Sequence, residues 1–179
     1  MADLENTIYM DIATAKGEPK GRVTIQLRPD LAPNHVAQIK SLAREGFYDN
    51  VVFHRVIEGF MAQGGDPTGT GMGGSKRPNL KQEFSREPHV RGICSMARSQ
   101  NPDSANSQFF ICFDDAGFLD RQYTVWGKVV DGMEIVDTIK RGDGAFVLET
   151  IDRSALVQVQ KPQGFAREAL DDAYREATA

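Results

Sequence analysis

The chain opens on two alternating segments. Ile8, Met10 and Ile12 are spaced by polar neighbours, and after the turn-rich Lys16-Gly17-Glu18-Pro19-Lys20-Gly21 the alternation resumes at Val23, Ile25 and Leu27. Period-two patterning on both sides of a Gly/Pro turn predicts a β-hairpin. Pro33 then suits the first position of a helix, where its missing N–H would have no partner anyway. Val36, Ile39 and Leu42 follow at helical spacing and Gly46 stands where a C-terminal stop belongs. That helix buries one stripe against a sheet. Onward to residue 160 the pattern is of short β segments between long turn-rich loops, at 51–57, 60–63, 92–97, 108–113, 124–130 and 155–160. A second short helix is predicted over 133–141, with Ile135, Val136 and Ile139 inward and Gly142 ending it. Many short strands with few helices predict a mainly β sandwich or barrel whose ends the two helices plug. The tail reads differently: Phe165, Ala169 and Ala173, with Leu170 beside them, form a weak apolar stripe that predicts a C-terminal helix docked on the domain, with a frayed tail as the alternative.

Length and composition fit this picture: 179 residues, 40% of them hydrophobic, make one domain over 1–160 with a short extension over 161–179. The net charge of −4 and a pI near 5.4 give no electrostatic footprint for nucleic acid, and the mixed signs along the chain leave no polybasic face for a membrane. The start, Met1-Ala2-Asp3-Leu4-Glu5-Asn6, has neither the basic nor the apolar region of a secretory signal. No stretch reaches the apolar length of a bilayer span. A cytoplasmic location is expected. Cys94 and Cys112 lie in apolar runs and are expected as buried free thiols rather than a disulfide. His35, His54 and His89 are too scattered for a zinc motif, so no metal is expected.

The glycine-rich stretch Gly69-Thr70-Gly71-Met72-Gly73-Gly74-Ser75-Lys76 satisfies G-x-G-x-x-G at Gly69, Gly71 and Gly74. A dinucleotide site needs a strand before that motif and a helix opening at it. Here Pro67 precedes it and Pro78 closes off a helix, and the order Gly-Ser-Lys is not that of a P-loop. Nucleotide binding is not expected.

The informative stretch is Phe53-His54-Arg55-Val56-Ile57-Glu58-Gly59-Phe60-Met61-Ala62-Gln63-Gly64-Gly65-Asp66, which sets a cation, large apolar side chains and an amide close together. Ser107-Gln108-Phe109-Phe110-Ile111-Cys112 follows, and then Phe118-Leu119-Asp120 leading to Trp126-Gly127-Lys128-Val129. In this order the motifs resemble the cyclophilin family, over residues 6 to 160 or so, with features nearest to bacterial members. The resemblance implies a closed antiparallel eight-stranded β-barrel capped by two helices. It also implies a peptidyl-prolyl cis-trans isomerase that assists protein folding without a cofactor. Its partners would be proline-containing peptides and polypeptides, folded or unfolded, and it would act as a monomer. The rival reading from another class is a module that binds proline-containing segments with turnover incidental.

The chemistry follows from the bond. An Xaa–Pro amide resists rotation because the nitrogen lone pair is delocalised into the carbonyl, with a barrier of about 18–20 kcal/mol. In the twisted transition state that lone pair localises on nitrogen. A donor aimed there binds the transition state better than the planar ground state. A guanidinium is rigid, always charged and rich in N–H groups. By the resemblance, Arg55 is the catalytic arginine. Phe60, Met61, Phe110 and Leu119 hold the proline ring, and Gln63 bonds the substrate carbonyl region. Ala97 and Arg98 pair with the bound peptide through their backbone, Gln108 lies on the neighbouring strand, and Phe118 and Tyr123 form the rim. His54 is expected as a structural, hydrogen-bonded residue beside the site, and Trp126 as core. Three positions depart from the best-known eukaryotic members. Arg98 replaces asparagine, Phe118 replaces a tryptophan whose indole N–H bonds cyclosporin, and Tyr123 replaces histidine. Weak or absent cyclosporin binding is expected, because phenylalanine has no such donor.

Overall fold

In the computed structural model, which describes residues 3–152, the predicted hairpin is β1 (Thr7–Ala13) and β2 (Pro19–Leu27), paired from Thr7 opposite Gln26 to Ala13 opposite Pro19. Ile8, Met10, Ile12, Val23, Ile25 and Leu27 are all buried, as the alternation requires. The other strands are β3 (Val51–Val52), β4 (Arg55–Ile57), β5 (Met61–Gly64), β6 (Ile93–Met96), β7 (Phe109–Cys112), β8 (Val125–Asp131) and β9 (Phe146–Asp152). The strand expected over 155–160 and the helix expected in 161–179 lie outside the described residues.

All pairings are antiparallel, in the order β3-β9-β1-β2-β8-β6-β7-β5-β4. The two ends of this nine-stranded sheet are consecutive pieces of one stretch, 51–57, interrupted only at Phe53 and His54. The sheet therefore curls until one segment serves both edges. Nine strands in a curled half-barrel thus stand where a closed barrel of eight was expected, because the stretch 51–57 is split at Phe53 and His54 into the two edge strands.

The first helix, α1 (Pro33–Arg44), turns His35, Val36, Ile39, Leu42 and Ala43 inward and packs on β8 and β9. Its N-cap, Ala32, offers no side-chain acceptor. Glu83, from the long loop before β6, takes that part by accepting the N–H groups of Asn34 (3.1 Å) and His35 (3.0 Å). At the other end Gly46, at φ +69°, donates to Ala43 while Phe47 donates to Leu42, a Schellman stop that a left-handed glycine permits. The second helix, α2 (Met133–Val136), is a single turn rather than the span 133–141. The Thr138 hydroxyl donates to the Ile135 carbonyl and competes with helix continuation; Val136 and Ile139 stay buried while Ile135 is half-exposed, lying over Gly21.

The strand β9 has no counterpart in the sequence reading. Its inward positions include Thr150 and Asp152, and its register slips between Asp11 and Ile12, so the apolar alternation is broken. The buried Asp152 is paired with Arg44 of α1 at 2.8 Å.

Strands β6 and β7 are buried on both faces, as are most of β5 and the first half of β8. Ala62, Cys94, Met96, Phe109, Ile111 and Trp126 join the main core with the hairpin and α1. Their neighbours Met61, Ile93, Phe110, Cys112 and Val125 point the other way and join Ala116 and Leu119 in a second, smaller cluster. Loop 113–124 covers that second face, and the candidate site lies there.

Candidate active site

Cross-strand pairs share a face of a sheet. Arg55 lies opposite Gln63, Gln63 opposite Phe110, Phe110 opposite Ser95, and Ser95 opposite Val125. One row thus runs across β4, β5, β7, β6 and β8, carrying a cation, an amide, an aromatic ring, a hydroxyl and an apolar anchor. Met61, two residues before Gln63, faces the same side.

Above this row opens a cavity of about 410 Å³. Met61, Phe110 and the buried Leu119 form its apolar floor with Phe60. Arg55 and Gln63 line one flank; Ala97, Arg98 and Tyr123 line another, and the exposed Phe118 stands at the mouth. The rings are mutually set: Phe110 and Tyr123 meet edge to face with centroids 5.7 Å apart, and Phe60 and Phe118 are tilted at 5.2 Å. Gln122, which the sequence reading missed, also lines the cavity, and its amide donates to the Phe118 carbonyl at 2.9 Å. Leu119 is carried on a 3₁₀ turn, Gly117–Leu119.

The Arg55 side chain is exposed and makes no hydrogen bond or ion pair among the described residues. Its donors are free to meet a ligand. Ala97 gives its N–H to the Gln108 carbonyl at 3.0 Å; the Ala97 carbonyl and the Arg98 N–H carry no partner among the described residues. That is an open backbone edge at the cavity wall.

Gln108 does not line this cavity. It belongs to a second one, of about 460 Å³, walled by the glycine stretch and by Asn79, Ser104 and Asn106, which shares Gln63, Ala97 and Arg98 with the first. Gln63 Nε2 donates to Gln108 Oε1 at 3.0 Å, and Gln108 Nε2 donates to the carbonyls of Gly71 (3.0 Å) and Gly73 (2.9 Å).

The glycine loop is built on Asp66, whose carboxylate is fully buried. It accepts the N–H groups of Thr68 (2.8 Å), Gly71 (2.7 Å) and Gly73 (3.0 Å) and the Thr68 hydroxyl (2.8 Å). Burial alone would raise this carboxyl, but these donors outweigh it and hold the group far below the usual carboxylate range. The N–H groups of Thr68, Gly71 and Gly73 are thus spent on an internal anion instead of facing an external one. A Cβ at Gly73 would come within 2.2 Å of Asp66 Oδ1, so the close approach requires glycine.

His54 departs from expectation. Its Nδ1 is buried without a partner, and it forms no hydrogen bond among the described residues; the ring lies beside Gly71 under the loop. Burial, with the neighbouring Arg55 cation, lowers its pKa against the opposing pull of Asp66. The histidine tied to the cavity is His89, which the sequence reading passed over. Its ring stacks on Phe110 at 6.2 Å, Nδ1 lies 3.0 Å from Asp120 Oδ1, and Nε2 lies 3.0 Å from Ser95 Oγ. This has the order of a Ser–His–Asp triad, but Ser95 and His89 are shut away from solvent and Ser95 Oγ also lies 2.9 Å from the Thr124 carbonyl. It is a brace behind Phe110, not a nucleophile. Cys112, beneath the same floor, has its thiol pushed up to about 12 by burial and offers no thiolate at neutral pH. Among the described residues no His, Cys, Asp or Glu cluster fits a metal ion, and no helix is long and apolar enough to cross a membrane.

Comparison with known proteins bears on this geometry. A family model described as "Cyclophilin type peptidyl-prolyl cis-trans isomerase/CLD" matches residues 9–159. A probable peptidyl-prolyl cis-trans isomerase of Brucella suis is 57% identical over 155 residues, covering 80% of this chain and 76% of that protein. A peptidyl-prolyl cis-trans isomerase of Helicobacter pylori is 43% identical over 145 residues, covering 79% of this chain and 86% of its own. Among solved structures, a Cryptosporidium parvum cyclophilin-type isomerase crystallised in the presence of the dipeptide Ala-Pro superposes with a TM-score of 0.74 at 29% identity, covering 82% of this chain and 98% of that one. A cyclophilin from Hirschia baltica superposes with the same TM-score at 28% identity, covering 84% and 74%.

Proposed function

The chain belongs to the cyclophilin-type peptidyl-prolyl cis-trans isomerases, and from that premise we propose that Arg55 is its catalytic residue and the cavity above Phe110 its proline site. Isomerisation of Xaa–Pro bonds needs no nucleophile, proton transfer or cofactor; it needs a held ring and a donor for the twisting nitrogen. The observation that carries the assignment is the row Arg55–Gln63–Phe110. It sets an unpaired guanidinium and an amide on the rim of an apolar pit.

The proline ring enters over Met61 and Phe110, between Phe60 and Leu119. This side-chain set excludes water from one face of the amide, and in that drier setting a charge-assisted hydrogen bond gains strength. The chain on either side remains extended. The open Ala97 carbonyl and Arg98 N–H pair with it in the manner of an added strand. Gln63 donates its second amide hydrogen to the substrate carbonyl region. Arg55 N–H groups approach the proline nitrogen as its lone pair localises, a contact absent from the planar ground state and therefore catalytic. Phe118, Gln122 and Tyr123 bound the mouth. Proline-containing segments of other polypeptides are the substrates, and folding assistance is the use. With no indole donor at position 118, the site binds cyclosporin weakly.

The test is prolyl exchange in an Ala-Xaa-Pro-Phe peptide by NMR exchange spectroscopy. Arg55→Ala is expected to lower kcat/KM by at least ~10-fold, about 1.4 kcal/mol of transition-state stabilisation, with unchanged thermal stability because Arg55 has no hydrogen-bond or ion-pair partner among the described residues. Undiminished exchange in a folded Arg55→Ala protein would overturn the assignment.

A further inference from the structure

Arg98 stands on the partition between the two cavities and lines both. Its guanidinium lies over the rings of Tyr123 (4.7 Å) and Phe84 (5.7 Å). Nε and Nη2 donate to the Gln122 carbonyl at 3.0 and 2.6 Å, and Nη1 donates to the carbonyls of Ser99 (2.9 Å) and Gln100 (3.4 Å). Every one of these partners is uncharged. The contacts fix where the cation sits but do not neutralise it, and Arg98 has no carboxylate partner among the described residues. Arg55, the other charged residue of the two linings, is also a cation. Asp66 is buried behind the glycine loop and lines neither cavity. In a chain of net charge −4, the groove is therefore locally cationic.

We propose that Arg98 is a specificity-determining residue, by which this isomerase favours peptides carrying a carboxylate side chain within three residues of the isomerised proline. This rests on the reading that the apolar cavity holds the proline ring. An extended peptide advances about 3.3 Å per residue, so a chain leaving that cavity over Gln63 and Ala97 brings its next one to three side chains past Arg98. A guanidinium already oriented by aromatic faces and backbone carbonyls loses little side-chain freedom when it meets a carboxylate. Its setting is half-exposed, so the preference is a matter of several-fold and is sensitive to salt.

A purely structural Arg98 makes a different prediction. A rivet holding Tyr123 and Gln122 would change the exchange of all peptides alike. The experiment compares Glu, Gln and Lys at each of three positions on either side of proline, reading kcat/KM by exchange NMR for the wild type, Arg98→Gln and Arg98→Lys. At low salt the wild type is expected to favour Glu over Lys by ~3–10-fold at one or more positions on one side. That ratio should shrink at about 1 M NaCl, where the screening length falls from about 10 Å to about 3 Å. Arg98→Gln should bring the ratio to about one, and Arg98→Lys should keep most of it. A wild-type ratio near one at every position, or a ratio that survives both Arg98→Gln and high salt, would overturn the proposal while leaving the isomerase reading intact. No exchange of any peptide by the folded wild type would overturn both.

Discussion

Gln63 and Gln108 are joined amide to amide at 3.0 Å, and through Gln108 the flank of the proline cavity is tied to the carbonyls of Gly71 and Gly73. Gln108 thus does not touch the proline cavity; it positions the side chain that does. Gln108→Ala is expected to free the Gln63 amide and release the loop together. Loss of these part-buried bonds should cost about 1–2 kcal/mol of stability. The rate kcat/KM should fall by ~3–10-fold at temperatures where the variant is folded. Full activity in a measurably destabilised Gln108→Ala protein would show that Gln63 needs no such support.

The carboxylate of Asp66 is the organising charge of the glycine loop, and Asp66→Asn tests it. An asparagine presents one oxygen where two are in use, and its NH₂ would face the N–H groups of Gly71 and Gly73. A stability loss of about 2–3 kcal/mol is expected from leaving buried donors unmet. The amides of Gly71 and Gly73 should lose their protection from hydrogen exchange. Wild-type protection at those amides no greater than at an exposed loop would contradict the bonding described. Addition of a nucleotide should leave the melting temperature of the wild type unmoved.

The candidate-site residues were picked out by the family resemblance, and part of that motif is local in sequence. Arg55, Phe60, Met61 and Gln63 fall within nine residues of chain, and the β4–β5 turn brings them to one face without help from elsewhere. The hairpin was legible for the same reason, since Ile8 to Leu27 alternate cleanly. What escaped reading depends on distant contacts. His89 reaches Asp120 across 31 residues, and its contact with Ser95 spans the six residues into β6, so no short motif marks it as the brace of Phe110. The strand β9 was hidden because Thr150 and Asp152 occupy inward positions, and Asp152 there pairs with Arg44 of α1. The second helix was overestimated because Val136 and Ile139 keep helical spacing while Thr138 ends the helix between them.

Acid should weaken the fold in two stages. His35, His54 and His89 all have pKa values lowered, in each case chiefly by burial. A histidine that resists protonation when folded binds a proton more readily when unfolded. The stability it contributes is therefore present above its unfolded pKa of about 6.5 and is lost as pH falls below it. Asp66, Glu83 and Asp120 are also lowered: burial opposes the shift at Asp66 and Glu83, but donors from Thr68 and from His35 outweigh it, while at Asp120 the His89 N–H leads. Their contribution is lost at lower pH, from about 4 downward. Urea unfolding at pH 7.5, 6 and 5 should show stability falling by up to about 1.4 kcal/mol per pH unit for each histidine that takes up a proton on unfolding. Constant stability from pH 7.5 to 5 would mean that the three rings titrate as they do in the unfolded chain.

Phe118 is expected to set the response to cyclosporin. Its ring is 66% exposed, stands at the cavity mouth against Phe60, and carries no hydrogen-bonding atom. An indole in its place would keep the stacking area on Phe60 and add an N–H at the rim. A single such bond to a neutral acceptor contributes about 0.5–1.5 kcal/mol, so Phe118→Trp should tighten cyclosporin by roughly 2- to 12-fold. Catalysis should change less than that, because the proline ring rests on Met61 and Phe110, deeper in the cavity. Isothermal titration of the two proteins measures the difference. Nanomolar affinity in the wild type would show that the missing donor is unimportant here. Equal and weak affinities in both would place the discrimination elsewhere on the rim, at Arg98 or Tyr123.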